Sequence, residues 1–268
     1  MRRSVVLIGS VVIGLATAAS ADERKFTYSN EAKVLPEGTF EFEPWITLRA
    51  RKEEGTFRAW DLRAELEYGV TDRLAAALYL NFEAKQVSDV PGLPDEREFE
   101  FEGVSLEGKY KLSDPTADLL GTLAYMEVSA ADDEIELELK AVASKSLGSF
   151  TLAYNFIFEI AREEKEEPSG DKEWETEFVV QNTLGVSCEV LPAFAVGLEG
   201  VTRSAYEGRL SLSENDGTVY FAGPNVHLSL PSAWATLTVL RQVDIVSDGL
   251  ELDEHEKYEV RLIVGVSF

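Results

Sequence analysis

The chain ends in Tyr258-Glu-Val-Arg-Leu-Ile-Val-Gly-Val-Ser-Phe268, and this stretch decides the fold. Every second residue from Tyr258 to Phe268 is apolar, whereas the intervening positions include Glu259 and Arg261. Because alternate residues of a strand point to opposite faces, the pattern predicts one apolar face with an aromatic ring at each end and one polar face. Membrane-spanning strands of β-barrels have this distribution.

The same alternation recurs in eleven earlier segments, although it is blurred in some of them. The sequence therefore predicts an all-β fold, namely a closed antiparallel up-and-down transmembrane β-barrel of about twelve strands over residues 39–268. Strand twelve is expected to pair with strands one and eleven, so that Tyr258 to Phe268 lies beside Thr39 to Ala50. The register of strands four, five, eight and eleven stays open. In strand five, two sets compete for the lipid face: Leu119, Leu123 and Tyr125, or Leu120, Ala124 and Met126.

The N-terminal region carries the marks of export. Arg2 and Arg3 precede the apolar run Val5 to Leu15, and Ala19-Ser-Ala21 fits a cleavage site. Residues 1–21 are therefore predicted to be a signal peptide that is cleaved near Ala21. An anchoring helix is the alternative, but the apolar run is shorter than the ~20 residues that a helical span needs. Residues 22–38 are polar, and we expect a periplasmic lead-in ahead of the barrel.

Composition limits the remaining classes. The chain has 268 residues, a formal net charge of −24 and one cysteine, so Cys188 has no intramolecular disulfide partner. Strong acidity argues against nucleic acid as a partner. After residue 21 no apolar run has the length of a membrane helix, and no motif predicts a cofactor. The expected partners are outer-membrane lipid, the barrel-assembly machinery and possible small solutes.

Connections between the predicted strands alternate in character. Short turns near positions 70, 114, 147, 191 and 231 alternate with loops near 53, 91, 131, 167, 211 and 250, which are mostly longer and charged. Bacterial barrels have short periplasmic turns and longer external loops. This alternation of short and long connections, starting with a long one, predicts a bacterial outer-membrane location with both chain ends on the periplasmic side. A soluble sandwich or lipocalin-like barrel in the periplasm is the alternative.

Several stretches resemble a known family. Glu31-Ala-Lys-Val-Leu-Pro-Glu-Gly-Thr-Phe-Glu-Phe-Glu43, Glu67-Tyr-Gly-Val-Thr-Asp-Arg-Leu74 and Ala222-Gly-Pro-Asn-Val226 are similar to motifs of largely uncharacterised bacterial outer-membrane barrels of the MetA-pathway-of-phenol-degradation-like group. The resemblance implies a barrel that works in transport or permeability. The shared motifs mark turns and strand starts, so the resemblance implies no catalytic residue.

The polar faces of the predicted strands would give the barrel a charged lumen. Mixed charges with an acidic excess favour a passive, porin-like channel or transporter for small polar or cationic solutes. The alternative is a structural or surface-interaction barrel whose lumen is plugged, because small barrels can be filled by side chains. The candidate lumen-lining residues are Glu41, Glu43, Arg49, Asp61, Arg63, Glu65, Glu67, Glu107, Lys109, Glu136, Glu138, Lys140, Glu159, Glu199, Arg203, Glu259 and Arg261.

Two further patterns contain histidine. Asn225, His227 and Ser229 share one face of strand ten, and a Ser-His-Asn set is the basis of an alternative hypothesis, a lipid-acting hydrolase. Residues two apart along a strand are spaced rather than in contact, so the sequence predicts no enzyme. The second pattern, Asp253-Glu254-His255-Glu256, could bind a divalent cation, although acidic external loops are usually only solvated. No metal site is therefore predicted.

Overall fold

The computed structural model describes residues 23–166, 172–208, 215–244, 250, 252 and 255–268. Within these residues, twelve strands form a closed antiparallel barrel in up-and-down order, as the sequence predicts. The predicted signal peptide, residues 1–21, lies outside the described residues. The strands are β1 Phe40–Ala50, β2 Thr56–Thr71, β3 Leu74–Ser88, β4 Glu96–Ser113, β5 Gly121–Ala130, β6 Glu134–Leu147, β7 Phe150–Glu166, β8 Lys172–Leu191, β9 Phe194–Glu207, β10 Asn215–Leu230, β11 Ala233–Gln242 and β12 Tyr258–Ser267.

The barrel closes between its first and last strands, which confirms the predicted seam. Ala50 lies opposite Tyr258, and Arg49 lies opposite Glu259. Backbone hydrogen bonds extend the seam to the last residue, because Phe268 N donates to Phe40 O at 2.9 Å and Phe40 N donates to Phe268 O at 3.2 Å. Closure pairs the backbone groups that lipid cannot satisfy.

The outer surface of the barrel is apolar between two belts of aromatic rings. At one end, the ring of Phe40 lies 4.5 Å from that of Tyr68 and 6.0 Å from that of Phe268. Towards the other end, Phe82 stacks on Phe99 at 6.0 Å. Between these belts lie exposed aliphatic side chains such as Leu78, at 46% exposure. This arrangement is typical of transmembrane barrels.

The barrel has two different rims. The lower rim, as we name it, holds Phe40, Phe268 and the connections that follow the even-numbered strands; four of these are two residues long, and residues 114–120 form the fifth. The upper rim holds the other connections, which range from three residues, 131–133, to fifteen, 243–257. Among the described residues, no helix is long and apolar enough to span a membrane.

The structure settles the open register of strands four and five. In β5, Leu123 and Tyr125 are buried inside the barrel and Met126 is half exposed on the outside. In β4, the register shifts where Leu80 pairs with Val104 but Phe82 pairs with Phe101. The extra residue lies at Gly103, whose φ is +84°. Such a bulge reverses the alternation, so one period cannot describe the whole strand.

Candidate functional site: a plugged lumen

Residues 23–35 occupy the lumen, and we name them the plug. Phe26, Ala32 and Leu35 have no exposed surface. The chain leaves the lumen at the lower rim, where Gly38 N donates to Gly69 O at 2.8 Å. The segment does not precede the barrel as a periplasmic lead-in, as predicted from the sequence, but lies inside it. The physical reason is that its apolar side chains find apolar partners inside the barrel.

Apolar side chains of the plug pack on inward-facing residues of the wall. Val34 and Ala32 share a buried cluster with Leu123 and Val142. Tyr28 joins a second buried cluster on the opposite wall, which includes Phe221. Burial of apolar area on both sides stabilises the plugged state.

The ring of Phe26 lies against the backbone of Gly185 in β8. A Cβ atom at position 185 would approach Phe26 Cδ1 to 2.6 Å, so any larger residue would push the ring away. Glycine therefore leaves the space that the plug needs at this point of the wall.

Glu199 anchors the innermost turn of the plug. This carboxylate is 2% exposed and accepts three consecutive backbone N–H groups, those of Thr27, Tyr28 and Ser29, each at 3.0 Å. Thr238 adds its hydroxyl at 2.6 Å. Hydrogen bonds from successive backbone N–H groups form a cradle for an anion. In this barrel the wall supplies the anion and the plug supplies the cradle.

Other wall residues bind the plug through its backbone. Asn155 accepts from Asn30 N at 2.6 Å and donates to Asn30 O at 2.9 Å. Ser144 accepts from Ala32 N at 2.9 Å. Backbone groups buried in a lumen need such partners, and the wall provides them.

The Asn225, His227 and Ser229 set also contacts the plug. Asn225 donates to the backbone oxygen of Lys25 at 2.6 Å, and Ser229 donates to Glu23 at 2.5 Å. His227 Nδ1 pairs with a wall hydroxyl, Thr236 Oγ1, at 2.8 Å. His227 Nε2 lies 3.5 Å from Glu23 Oε2 of the plug. The three side chains therefore serve as anchors, and their hydrogen bonds do not form a nucleophile–base pair.

Above the plug, the lumen widens into an acidic vestibule of about 420 Å³ near the upper rim. Its lining includes Arg49 and Arg63 as cations. The acidic residues that line the vestibule are Asp61, Glu83, Glu102, Glu127, Glu134 and Glu136.

Ion pairs cross the lumen between strands that are not neighbours. Arg203 of β9 pairs with Glu259 of β12, and Arg63 of β2 pairs with Glu127 of β5. Arg49 of β1 pairs with Glu83 of β3 at 2.6 Å. These pairs brace the interior of the barrel.

Below the vestibule lies a smaller cavity, the central cavity, of about 160 Å³ between plug and wall. Cations stack on aromatic rings around it. The Arg261 guanidinium carbon lies 4.1 Å from the centre of the Tyr28 ring, and Lys140 Nζ lies 4.1 Å from that of Tyr125. A cation is attracted to the face of an aromatic ring, so the contact between Arg261 of β12 and Tyr28 fixes the plug against the wall.

A cluster of buried carboxylates lies near the lower rim beside the plug. We name Glu43, Glu65, Glu67 and Glu107 the acidic cluster. Glu43, Glu65 and Glu67 each offer one oxygen, and these oxygens lie within 4.8 Å of one another. Lys109 Nζ pairs with Glu67 at 2.9 Å and with Glu107 at 3.1 Å. Carboxylate oxygens at this spacing could hold a metal ion.

All seventeen predicted lumen residues lie on the inner side of the barrel. Those that line the vestibule or the central cavity are Arg49, Asp61, Arg63, Glu136, Glu138, Lys140, Glu159, Arg203 and Arg261. Those buried deeper are Glu41, Glu43, Glu65, Glu67, Glu107, Lys109, Glu199 and Glu259. Their part in solute passage stays a prediction. The sequence did not lead to the prediction that residues 23–35 fill the lumen. The apolar residues at inward-facing wall positions were the one feature that indicated an apolar segment inside the barrel.

The acidic loop pattern is only partly described, since Asp253 and Glu254 lie outside the described residues. Glu256 is buried and pairs with Arg49 at 3.5 Å. Burial, with the charges of Arg203 and Lys52, lowers the pKa of His255 to about 4. The imidazole is therefore neutral at neutral pH, and Glu256 is engaged in the lumen network.

These features define the class of the protein as an outer-membrane-type β-barrel with an internal plug. The fold is similar to that of the COG4313 outer membrane channel from Pseudomonas putida F1, with a TM-score of 0.64 and 13% identity over 91% of this chain and 100% of that chain. It is also similar to the beta domain of the Bordetella autotransporter BrkA, with a TM-score of 0.54 and 11% identity over 87% and 100%. For the NanC porin the TM-score is 0.52, with 11% identity over 85% and 98%. At these identities the likeness shows the fold alone.

The chain belongs to a family of unknown function, DUF6662, whose sequence model matches residues 18–268. No curated protein matches the sequence. The predicted likeness in fold to outer-membrane barrels is thus confirmed, whereas the narrower relation to the MetA-pathway-like group is not confirmed.

Proposed function

We propose that the protein is a gated channel of the bacterial outer membrane for small polar or cationic solutes, and that the plug is its gate. The observation that carries this proposal is an acidic vestibule above a segment that, among the described residues, contacts the barrel wall through non-covalent interactions alone. In the proposed channel, the lower rim faces the periplasm and the upper rim faces the exterior of the cell.

The charge of the vestibule supports the solute class. Six carboxylates outnumber Arg49 and Arg63 on its lining. A lumen with an excess of one charge concentrates ions of opposite charge and disfavours ions of like charge. Cations and polar solutes that carry an amine therefore fit this entrance better than anions do.

The contacts of the plug support a gate. Its tip is held by hydrogen bonds to Glu199 and Asn155, for which water can substitute once the plug moves. The wall behind it carries further polar groups, including Ser144 and Thr151. A lumen of twelve strands lies between the filled eight-stranded barrels and the sixteen-stranded porins in width, so loss of the plug would leave a narrow pore.

Two proteins of similar fold add support at the level of the class. One is an outer membrane channel and another is a porin. A plugged barrel with a structural or surface role is the second candidate, and it is favoured by the close fit between the plug and the wall. A pore that stays closed even without the plug would support this second candidate. The link to the MetA-pathway-like group remains part of the proposal.

Neutralising the vestibule should weaken the preference for cations. In a chain that lacks the plug, we expect the joint change Glu102→Gln, Glu134→Gln and Glu136→Gln to lower the permeability ratio of K⁺ to Cl⁻ several-fold, because three negative charges leave the entrance. The ratio is measured from the reversal potential in a planar bilayer under a salt gradient.

The matched control removes three carboxylates next to the lower rim, by Glu37→Gln, Asp72→Asn and Asp118→Asn. These three residues are exposed at the opposite end of the barrel from the vestibule. This control should leave the ratio close to that of the parent chain. Equal ratios in the parent and in the vestibule variant would contradict the proposed selectivity.

A further inference from the structure

The register of β1 and β2 places glutamates directly opposite each other. Glu41 faces Glu67, and Glu43 faces Glu65. All four side chains have no exposed surface. Like charges directly opposite in a sheet are destabilising, and a buried carboxylate is costly without a partner of opposite charge. The arrangement therefore needs a source of positive charge.

Protein groups satisfy part of this need. Trp234 Nε1 donates to Glu41 at 3.1 Å, and Ser267 donates to its other oxygen. Lys109 pairs with Glu67 at 2.9 Å. Trp45 Nε1 donates to Glu43 Oε2 at 3.2 Å. Both carboxylates of the opposed pair, Glu41 and Glu67, therefore have a hydrogen-bond or ion-pair partner in the protein.

The pair of Glu43 and Glu65 is different. Among the residues that the structure describes, three oxygens of this pair lack a hydrogen-bond partner: both oxygens of Glu65 and Oε1 of Glu43. The nearby Tyr79 hydroxyl donates to Glu107. Arg24 Nη1 of the plug approaches Glu43 Oε2 only to 3.8 Å. Buried polar atoms without a partner point to a group that the protein chain does not supply.

In their ionised forms, the four carboxylates of the acidic cluster exceed the two cations that contact them, Lys109 and Arg24, by two negative charges. One divalent cation would neutralise them. Oxygens of Glu43, Glu65 and Glu67 within 4.8 Å of one another leave room for an ion between them, since metal–oxygen distances of ~2.0–2.6 Å place two ligands up to about 5 Å apart.

The geometry points to a binding site for one hard divalent cation, of the class of Ca²⁺, Mg²⁺ and Mn²⁺, held by Glu43, Glu65 and Glu67 at the lower rim. A donor set made of carboxylate oxygens selects these ions over softer metals. The ion would join β1 to β2 beside Arg24 of the plug, with Lys109 on its far side. This site does not depend on whether the barrel conducts.

Binding of Mn²⁺ tests the site. The full mature chain, refolded with Mn²⁺ so that the plug cannot bar entry, is dialysed, and bound Mn²⁺ per chain is counted by electron paramagnetic resonance. We expect the parent chain to retain one ion more than the Glu65→Gln variant, and Ca²⁺ to displace that ion. The control variant, Glu136→Gln, removes a vestibule carboxylate instead and should retain the ion.

A stability measurement gives a second readout that separates a lost site from a lost fold. Mn²⁺ should raise the melting temperature of the parent chain and of Glu136→Gln, since a ligand that binds the folded state stabilises it. It should not raise that of Glu65→Gln, which must still show heat-dependent gel migration as evidence of a barrel. Equal Mn²⁺ counts and equal temperature shifts in the parent chain and Glu65→Gln would overturn the inference.

Discussion

A chain without the plug, residues 23–35, is expected to conduct steadily in planar bilayers, whereas the full chain should be closed for most of the recording. The plug fills the space between opposite walls, with Phe26, Ala32 and Leu35 fully buried. Its removal leaves a lumen lined by polar groups such as Asn155 and Glu199, which water can fill. Single-channel recording in symmetric KCl measures the difference.

The truncated barrel must be shown to fold before its conductance is interpreted. The seam of β1 and β12 lies outside the deleted segment and keeps its full register, so heat-dependent gel migration should persist. A folded truncated barrel as silent as the full chain would show that the wall itself is closed, and it would support a structural role.

Replacement of Glu199 by Ala should release the plug without deleting it. Three backbone N–H groups of the plug converge on this one carboxylate, and hydrogen bonds to a charged group contribute ~1.5–3 kcal/mol each. A net loss of about 2.8 kcal/mol would shift the balance between plugged and open states about 100-fold. We expect frequent openings in bilayer recordings and faster cleavage of the plug by added protease.

Two variants test whether the hydrogen bonds between Glu199 and the plug keep the channel closed. Glu199→Gln keeps an acceptor oxygen and should open less often than Glu199→Ala. Glu159→Ala removes another lumen carboxylate, one that lines the central cavity, and should open no more often than the parent chain. If Glu199→Ala stays closed while its plug remains protected from protease, Glu199 does not hold the gate.

The barrel could be predicted because lipid imposes a strict pattern on its outer face. Tyr258 to Phe268 must alternate, and closure must bring β12 next to β1; both follow from the period of a strand and from the need to pair every backbone group. The observed pairing of Tyr258 with Ala50 confirms this inference.

Strand five could not be assigned because both of its faces are apolar. Met126 faces lipid, whereas Leu123 and Tyr125 face the plug. A two-sided apolar strand loses the alternation that reveals its register. The apolar inward face of this strand was itself informative, since apolar side chains that point into a polar lumen imply that an apolar segment packs on them.

The segment that fills the lumen is the plug, but its amino-acid composition does not indicate a buried segment. Residues 23–35 are mostly polar, with Phe26, Tyr28, Val34 and Leu35 dispersed among them. Its polar backbone groups are satisfied by wall residues that are remote in sequence, as the pairing of Thr27 with Glu199 illustrates. Such contacts depend on the folded barrel and have no local period. The opposed glutamates of the acidic cluster likewise became evident only once the β1–β2 register was known.

A reversible disulfide between plug and wall tests the central claim most directly. Ala32 N lies 2.9 Å from Ser144 Oγ, so the backbone of the plug is close enough to this wall residue for a cross-link to be tested with Ala32→Cys and Ser144→Cys in a Cys188→Ser background. Added to the Glu199→Ala chain, this pair should form a disulfide, as thiol titration can verify, and should abolish the openings. Addition of a reductant to the same bilayer should restore them. Openings that persist in the fully oxidised protein would contradict the plug as the gate.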